Sequence, residues 1–386
     1  MSQERVLKTI YHEEPDVVPI FEPYGVMPPA SDIVLKRPCV ATCEIRAVNI
    51  FIKKGLEEYR SAIRRDWYEL VKKLKFDAGP ITLGTHYRPE SPPRKIDEFS
   101  WAIDNSIYQY DPSTGTTLEI DSAIKKGGIS AFKEHVRNLE EETDDEIDES
   151  IINFQLDEKM AKMWKRLRVL LYASAGTVPV GVSWFLLFLK MFFTNPNLLK
   201  RFLKQRTRRV IRLGRIAADL GAKLMFIGGD IAHNHGPMIS PRQYREFILP
   251  EIKAQTEALH KIGVFTFNSS DGNLWPIIKD YLINSGVDGM MEIQTTAGMN
   301  LEKLKELYGD KICFAGSVDC QFTLVHGSPQ QVKEETIKVV RTLSPGGGHI
   351  LSSSNSIHSG VKPENFFIML QTARKYGQYN KNKKFH

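Results

Sequence analysis

Asn268, Ser269 and Asp271 close the run "VFTFNSSDG" (residues 264–272), where alternating apolar residues give way to an amide, hydroxyls and a carboxylate. Similar endings recur along the chain. "KLMFIGGD" stops at Asp230, with His233 and His235 just beyond, and "GMMEIQ" stops at Glu292 and Gln294. "KICFAGSVD" leads into Asp319 and Cys320, "GHILSSSN" into Ser354, Asn355 and then His358, and "DVVPIFE" into Glu22 and Tyr24. Carboxylates, imidazoles and a thiol brought to one place can serve as acid, base and hydrogen-bonding groups around an organic substrate. They can equally bind zinc, which accepts Cys, His and carboxylate and leaves a position open in catalytic sites. Plainer roles exist for each. Asp230 can cap a turn, Cys320 can be a small buried hydrophobe, and His233 and His235 can be loop residues. Against these, a carboxylate after a glycine pair at a strand end has little packing role, and an unpaired Glu292 after so apolar a run would be costly.

The elements that carry these endings alternate. Short apolar runs beginning with "RVLLYASAG" are each followed by a helical pattern, over 196–220, 241–262, 275–285, 301–308, 328–342 and 363–376. Strands alternating with helices predict βα units and a parallel sheet. Helix starts such as "SPRQYREF", "SPQQVKEE" and "KPENFFIM" place proline in the first turn, where its missing N–H costs nothing. Six units plus strands from "DVVPIFE" and "KFDAGPI" make eight, so the spacing predicts an α/β chain folded as a (β/α)8 barrel, one domain over 1–386. An open doubly wound sheet would want a glycine-rich phosphate loop, and the sequence has neither GxGxxG nor GxxxxGK[ST]. Residues 84–140 break the rhythm. "DEFSWAIDNSIYQYDPSTGTTLEI" reads as a two- or three-stranded β-meander insertion with a Pro-Ser-Thr-Gly turn. In such a barrel all these strand ends share one mouth.

Charge and composition exclude several classes. A net charge of +6 is small for 386 residues, and the densest basic cluster, "KQRTRRVIR", lacks interleaved aromatics, so no nucleic-acid partner is expected. That run reads as a solvated helix face, and the acidic "LEEETDDEIDE" as a solvated linker and helix start. Four scattered cysteines without a CxxC pair and a polar N-terminus predict a cytoplasmic chain with reduced thiols. "VSWFLLFLKMFF" is too short to span a bilayer and reads as a core or interface helix, able also to line an apolar pocket. The expected assembly is a monomer or homodimer.

With these motifs in place, the second half resembles the uroporphyrinogen decarboxylase superfamily. The resembling segments are "GGDIAHNHGPMISPRQYREFILP", "SSDGNLWPIIKDYLINSGVDGM", "LKELYGDKICFAGSVDC" and "GGGHILSSSNSIHSGVKPENF", about residues 220–376. The resemblance implies a single (β/α)8 barrel. It also implies one of two activities: decarboxylation, or methyl transfer dependent on cobalamin. The decarboxylase pattern has Arg-Gln-Ala-Gly-Arg after the first strand, where this chain reads "FEPYGVMPPASD", and its late histidine falls near Asn355. Without guanidinium forks, a site for many carboxylates is hard to build. In the thiol-methylating branch, zinc ligands would align with Ser269, Asp271 and about Ser354, and most of that set is lost here.

The resemblance therefore implies an O-demethylase: a methyltransferase moving a methyl group from a methoxylated aromatic donor to cob(I)alamin on a partner corrinoid protein. The chain shows no Asp-x-His-x-x-Gly corrinoid motif, so the corrinoid arrives on the partner. Zinc, if used, would be held by Glu292, Cys320 and His358. Asp230, Asn268 and Asp271 are the expected catalytic residues, and Glu22, Tyr24, His233, Ser269 and Asn355 the expected substrate contacts. A methylcobalamin:thiol methyltransferase, a decarboxylase-like enzyme and a catalytically silent tetrapyrrole-binding barrel are the alternatives.

Overall fold

A computed structural model describes residues 2–83 and 90–379. Seven parallel strands form one curled sheet. In chain order they are β1 (Ala78–Pro80), β2 (Leu170–Ser174), β3 (Leu224–Gly228), β4 (Phe265–Ser269), β5 (Gly289–Met291), β6 (Cys313–Ala315) and β7 (His349–Ile350), each pairing with the next. The eighth position is filled by the 17–21 segment. Ile20 bridges Leu351 in parallel on one side, and on the other the Asp77 amide donates to the Ile20 carbonyl at 2.9 Å. Asp77 Oδ2 accepts in return from the Ile20 amide at 2.9 Å. The ring of eight is thus closed, and its edges are satisfied by backbone pairing. Proline at 19 explains the lack of a regular strand here: it has no N–H for the ladder.

The strands are buried on both faces, as a parallel barrel requires. Inside, Phe21, Tyr172, Phe226 and Phe267 form a layer of rings, with centroids 5.6 Å apart for Phe21–Tyr172, 5.1 Å for Tyr172–Phe226 and 6.1 Å for Phe226–Phe267. Filled barrel interiors of this kind make a floor, so any site must sit above it. Outside, the helices start as their sequences predict. Ser240 and Ser328 each form a capping box with the glutamine three residues on, and Pro241 and Pro329 occupy the first turn. The helix expected at 241–262 is interrupted by a π-turn over Tyr244–Ile248. Pro250 has no N–H to give the ordinary i−4 carbonyl, and the Leu249 amide instead reaches Tyr244 O. The helix expected at 275–285 is a 3-10 turn, Trp275–Ile277, followed by a second π-turn, Asp280–Asn284.

Between β1 and β2 lies an antiparallel sheet of four strands, Arg94–Lys95, Ser100–Ile103, Ser106–Asp111 and Thr116–Asp121, one more than the pattern suggested. The extra edge strand is short and exposed, so it carries no alternating signal. Residues 84–89 of the expected insertion lie outside the described residues. The turn at 112–115 forms as read, with the Gly115 amide on Asp111 O at 2.7 Å. The sheet is tied to the barrel mouth through Ser359 N to Thr114 O (3.1 Å) and Glu119 N to Gly181 O (2.9 Å).

Two charge runs depart from expectation. The acidic segment and the basic helix Pro196–Asp219 (α1) are not separately solvated but face one another. Arg208 and Arg212 pair with Asp144, Arg212 also with Asp148, Arg209 with Glu142 and Arg201 with Glu140. Reading each run alone could not show that they are complementary. The apolar helix Phe185–Thr194 buries Phe188, Met191 and Phe192 against the core and exposes Leu186 and Phe193. No described helix is long and apolar enough to cross a membrane.

Candidate functional site

Above the aromatic floor, three carboxylates from successive strand ends stand within electrostatic reach of one another. Asp230 follows β3, Asp271 follows β4 and Glu292 follows β5. Burial raises all three. Asp271 adds to the rise at Asp230, which reaches about 6, and Asp230 and Asp271 add to it at Glu292, which reaches about 8. Crowded carboxyls in a dry site hold protons that isolated ones would lose. Glu292 also sits at φ +62°, a left-handed conformation unusual for a side chain with a Cβ. Holding it costs roughly 1–3 kcal/mol, strain of a kind concentrated at functional sites.

Glu292 is the inner end of a chain of hydroxyls. Ser269 Oγ donates to Glu292 Oε2 at 2.5 Å, and the Tyr24 hydroxyl lies 2.7 Å from Ser269 Oγ. Asn355 Nδ2 holds the other carboxyl oxygen, Oε1, at 3.1 Å. Tyr24 is 40% exposed as a residue, but its hydroxyl end turns in onto the buried Ser269. Burial and the nearby Glu292 keep the phenol well above its ordinary pKa, so it stays protonated. Tyr24 and Ser269 both line a cavity of about 490 Å³, walled also by Ala175, Gly176, Phe226, Ile227, Arg206 and Arg209. That volume lies within the range of pockets that bury most of a small organic ligand.

The turn that delivers Asp230 depends on glycine. Gly228 has φ +94°, and a Cβ there would fall 2.1 Å from Asn268 Oδ1. Asn268 is buried, with its amide nitrogen on Tyr281 O at 3.2 Å. Its side chain also meets the buried hydroxyl of Tyr244, and the hydroxyl of Tyr281 is buried without a hydrogen-bond partner. Asn268 therefore supports the floor of the site instead of lining its cavity.

Other expected site residues lie apart from this cluster. Glu22 is 1% exposed, and both its oxygens are taken by Ser353, by the amide at 3.0 Å and Oγ at 2.7 Å. It staples the 17–21 segment to the chain beyond β7, and burial pushes it up to about 8. His233 and His235 lie on a more open cleft with Asn234, Asp271, Gln294 and Gln321, and His233 Nδ1 accepts from the His235 amide at 3.0 Å. Asp319 caps the next helix, accepting from the amides of Phe322 and Thr323 at 2.7 and 2.8 Å.

The zinc set Glu292, Cys320 and His358 is not assembled. His358 Nδ1 accepts from Gly360 N at 3.1 Å, so Nε2 carries the proton it gives to Cys320 O at 2.8 Å. Neither ring nitrogen has a lone pair left for a metal. The Cys320 sulfur accepts from Ser354 Oγ at 3.3 Å, burial pushes its thiol up, and Glu292 is occupied by Ser269 and Asn355. No group of three or more His, Cys, Asp or Glu suited to a metal occurs among the described residues. The residues present do not fit zinc at this set. Cys320→Ala is accordingly expected to leave the metal content of the purified chain unchanged and to cost on the order of 1 kcal/mol from the small void. Elemental analysis and thermal melts check both, and loss of a stoichiometric metal in the variant would restore the set.

Three contributors were not visible in the sequence. Arg206 lies inside the basic run, distinguished only by facing away from its charged neighbours. Tyr244 and Tyr281 are brought under the site by π-turns, which shift side chains off the ordinary helical period.

The chain belongs to the uroporphyrinogen decarboxylase (URO-D) family, whose model matches residues 177–376. It is 24% identical over 200 residues to a uroporphyrinogen decarboxylase of Pseudoalteromonas translucida, covering 50% of this chain and 52% of that one. It is 27% identical over 186 residues to that of Alkalilimnicola ehrlichii, covering 47% of each. The chain spans about half the length of the curated relatives it matches. Among solved structures, a methyltransferase from Methanosarcina mazei superposes with a TM-score of 0.62 at 17% identity, covering 97% of this chain and 98% of the other. That likeness over nearly the whole chain shows the barrel fold.

Proposed function

We propose that the chain is a methyltransferase that takes the methyl group from a small O-methyl donor, a methoxylated aromatic ring, for a corrinoid carried on a partner protein. The observation that carries this reading is the path Glu292–Ser269–Tyr24, whose outer members line a cavity with room for a substituted aromatic ring. Membership in the family and likeness to a solved methyltransferase support it. Cleaving a methyl ether demands a proton for the departing oxygen, because an alkoxide or phenolate is a poor leaving group. With a raised pKa, Glu292 holds such a proton near neutrality.

In the protonated state Glu292 donates to Ser269 Oγ, Ser269 to the Tyr24 oxygen, and Tyr24 O–H points its proton at the ether oxygen. As the carbon–oxygen bond breaks, its electron pair stays on oxygen, which takes the proton of Tyr24. Ser269 reprotonates Tyr24, and Glu292 reprotonates Ser269 and is left as the carboxylate. Asp230 and Asp271 hold the proton on Glu292 beforehand, and Asn355 fixes the carboxyl plane. A reduced corrinoid supplies the electron pair that accepts the methyl group. The open cleft of His233, Asn234, His235, Asp271, Gln294 and Gln321 offers hydrogen-bonding groups to the macrocycle edge.

The test is phenol release from a panel of methoxybenzenes by the purified chain with its reduced corrinoid partner. Turnover should require the partner, and Tyr24→Phe should lower it by roughly 10²-fold or more by cutting the path at its outer end. Phenol release without the partner would instead mark a hydrolase. The named relatives favour a second reading, decarboxylation of a porphyrinogen. Incubation with uroporphyrinogen decides it, since loss of carboxylates there and no phenol release would overturn the methyl-transfer reading.

A further inference from the structure

Arg206 takes no part in the proton path, yet it lines the same cavity as Tyr24 and Ser269. The other arginines of α1 near it are neutralised: Arg201, Arg208, Arg209 and Arg212 each face a carboxylate of the 140–148 segment. Arg209 also reaches the cavity wall, but only Arg206 does so without a carboxylate partner among the described residues. Arg206 Nη2 donates to the Gly176 carbonyl, its Nε is buried without a partner, and no ion pair reaches it among the described residues. Burial and the neighbouring Arg209 push its pKa down to about 10, which reflects the missing counter-charge. A guanidinium does not give up its proton at neutral pH, so an uncompensated one in a cavity wall is a standing cost unless a ligand removes it. Holding Gly176 O would need one N–H and would leave the remaining donors without a purpose.

We propose that Arg206 is the anion-binding residue of this cavity and receives the carboxylate of a small aromatic acid, whose opposite edge meets Tyr24 and Ser269. The planar fork matches a carboxylate through two parallel hydrogen bonds, and the apolar wall of Ala175, Phe226 and Ile227 takes the ring. The methoxy substituent at the opposite edge rests on the methyl-transfer reading; the carboxylate end does not.

Binding can be measured on the chain alone, with no partner and no turnover. Calorimetric titration with benzoate and 4-methoxybenzoate should give saturable binding, with benzamide at least tenfold weaker. Arg206→Met should weaken benzoate at least tenfold and abolish the rise in melting temperature that benzoate confers, while the melting temperature of the free chain stays equal or rises. Arg206→Lys, which keeps the charge without the fork, should bind with intermediate affinity and covers the case in which the methionine variant does not fold. A merely structural arginine predicts the reverse: a lower melting temperature in both variants and unchanged selectivity for benzoate over benzamide. Equal binding of benzoate and benzamide, no carboxylate binding at millimolar concentration, or stronger protection by inorganic phosphate than by benzoate would each overturn the assignment. If 4-methoxybenzoate binds through Arg206 but is never demethylated with the partner present, the methyl-transfer reading fails and the arginine assignment stands.

Discussion

Glu292→Gln is expected to lower methyl transfer by roughly 10²–10⁴-fold, the usual worth of a positioned general acid, while making the chain more stable than the native one at pH 9. The two effects share one cause. Glu292 is buried beside Asp230, which lifts its pKa from 4.5 to about 8. Between those values the native state keeps a proton that the unfolded chain has released. The favourable contribution is therefore complete below pH 4.5 and is lost as pH rises through 8, where a buried carboxylate must be carried. Glutamine carries no such charge. Its Oε1 can accept from Asn355, and its amide can donate to Ser269 once that hydroxyl rotates. Stability of the variant relative to the native chain should rise from pH 5 to about 8 and level off above it, gaining roughly 4–5 kcal/mol at the top, since a tenfold change in proton affinity is worth about 1.4 kcal/mol. On the methyl-transfer reading, turnover of the native chain should fall above pH 8 as the acid ionises. Denaturant titrations at three pH values and a pH–rate profile read both. A variant with native turnover and an unchanged alkaline limb would remove Glu292 from the mechanism.

That a buried carboxyl costs stability is also why part of the candidate site was legible in sequence. Asp230, Asp271 and Glu292 stood out because each ended an apolar run with a group that packing alone would not choose, and the barrel made them neighbours. The order of strands was equally open to reading, because period and turn chemistry are local. What was not legible is how individual side chains pair with partners distant in the chain. The zinc set was chosen by residue type and strand position, but whether a histidine has a lone pair to give depends on Gly360 and on the Cys320 carbonyl. Glu22 looked like a substrate contact until Ser353, more than three hundred residues away, occupied both its oxygens. Arg206 was hidden for the same reason: its lack of a counter-ion is visible only once its neighbours have found theirs. The left-handed backbone at Glu292 has no sequence signal at all, since a glutamate there resembles any other.

Gly228→Ala should be the most damaging single methyl addition near the site, and its cost can be divided into two parts. The first is backbone strain: φ is +94°, and an L side chain in that region costs about 1–2 kcal/mol. The second is collision. The new Cβ would lie 2.1 Å from Asn268 Oδ1, with Ser269 backbone atoms at 3.2 Å on the same side. Asn268 cannot simply swing away, because its amide nitrogen is held by Tyr281 O and the space beyond is the packed floor. Overpacking of this kind adds about 1–3 kcal/mol, for a total of roughly 2–5 kcal/mol and a melting temperature lower by several degrees. Gly263 supplies the control. It has φ +73° but nothing within 4 Å of where an added methyl would sit, so Gly263→Ala should show the strain alone, about 1 kcal/mol. The collision term is isolated by Asn268→Ala, which removes the struck atom. In the double variant the two substitutions should be less harmful than their sum by at least about 1 kcal/mol, since contacting sites are not additive. Strict additivity, or equal costs at Gly228 and Gly263, would show that the glycine is not there to admit the Asn268 amide. The turn to Asp230 would then owe its shape to something other than the glycine pair.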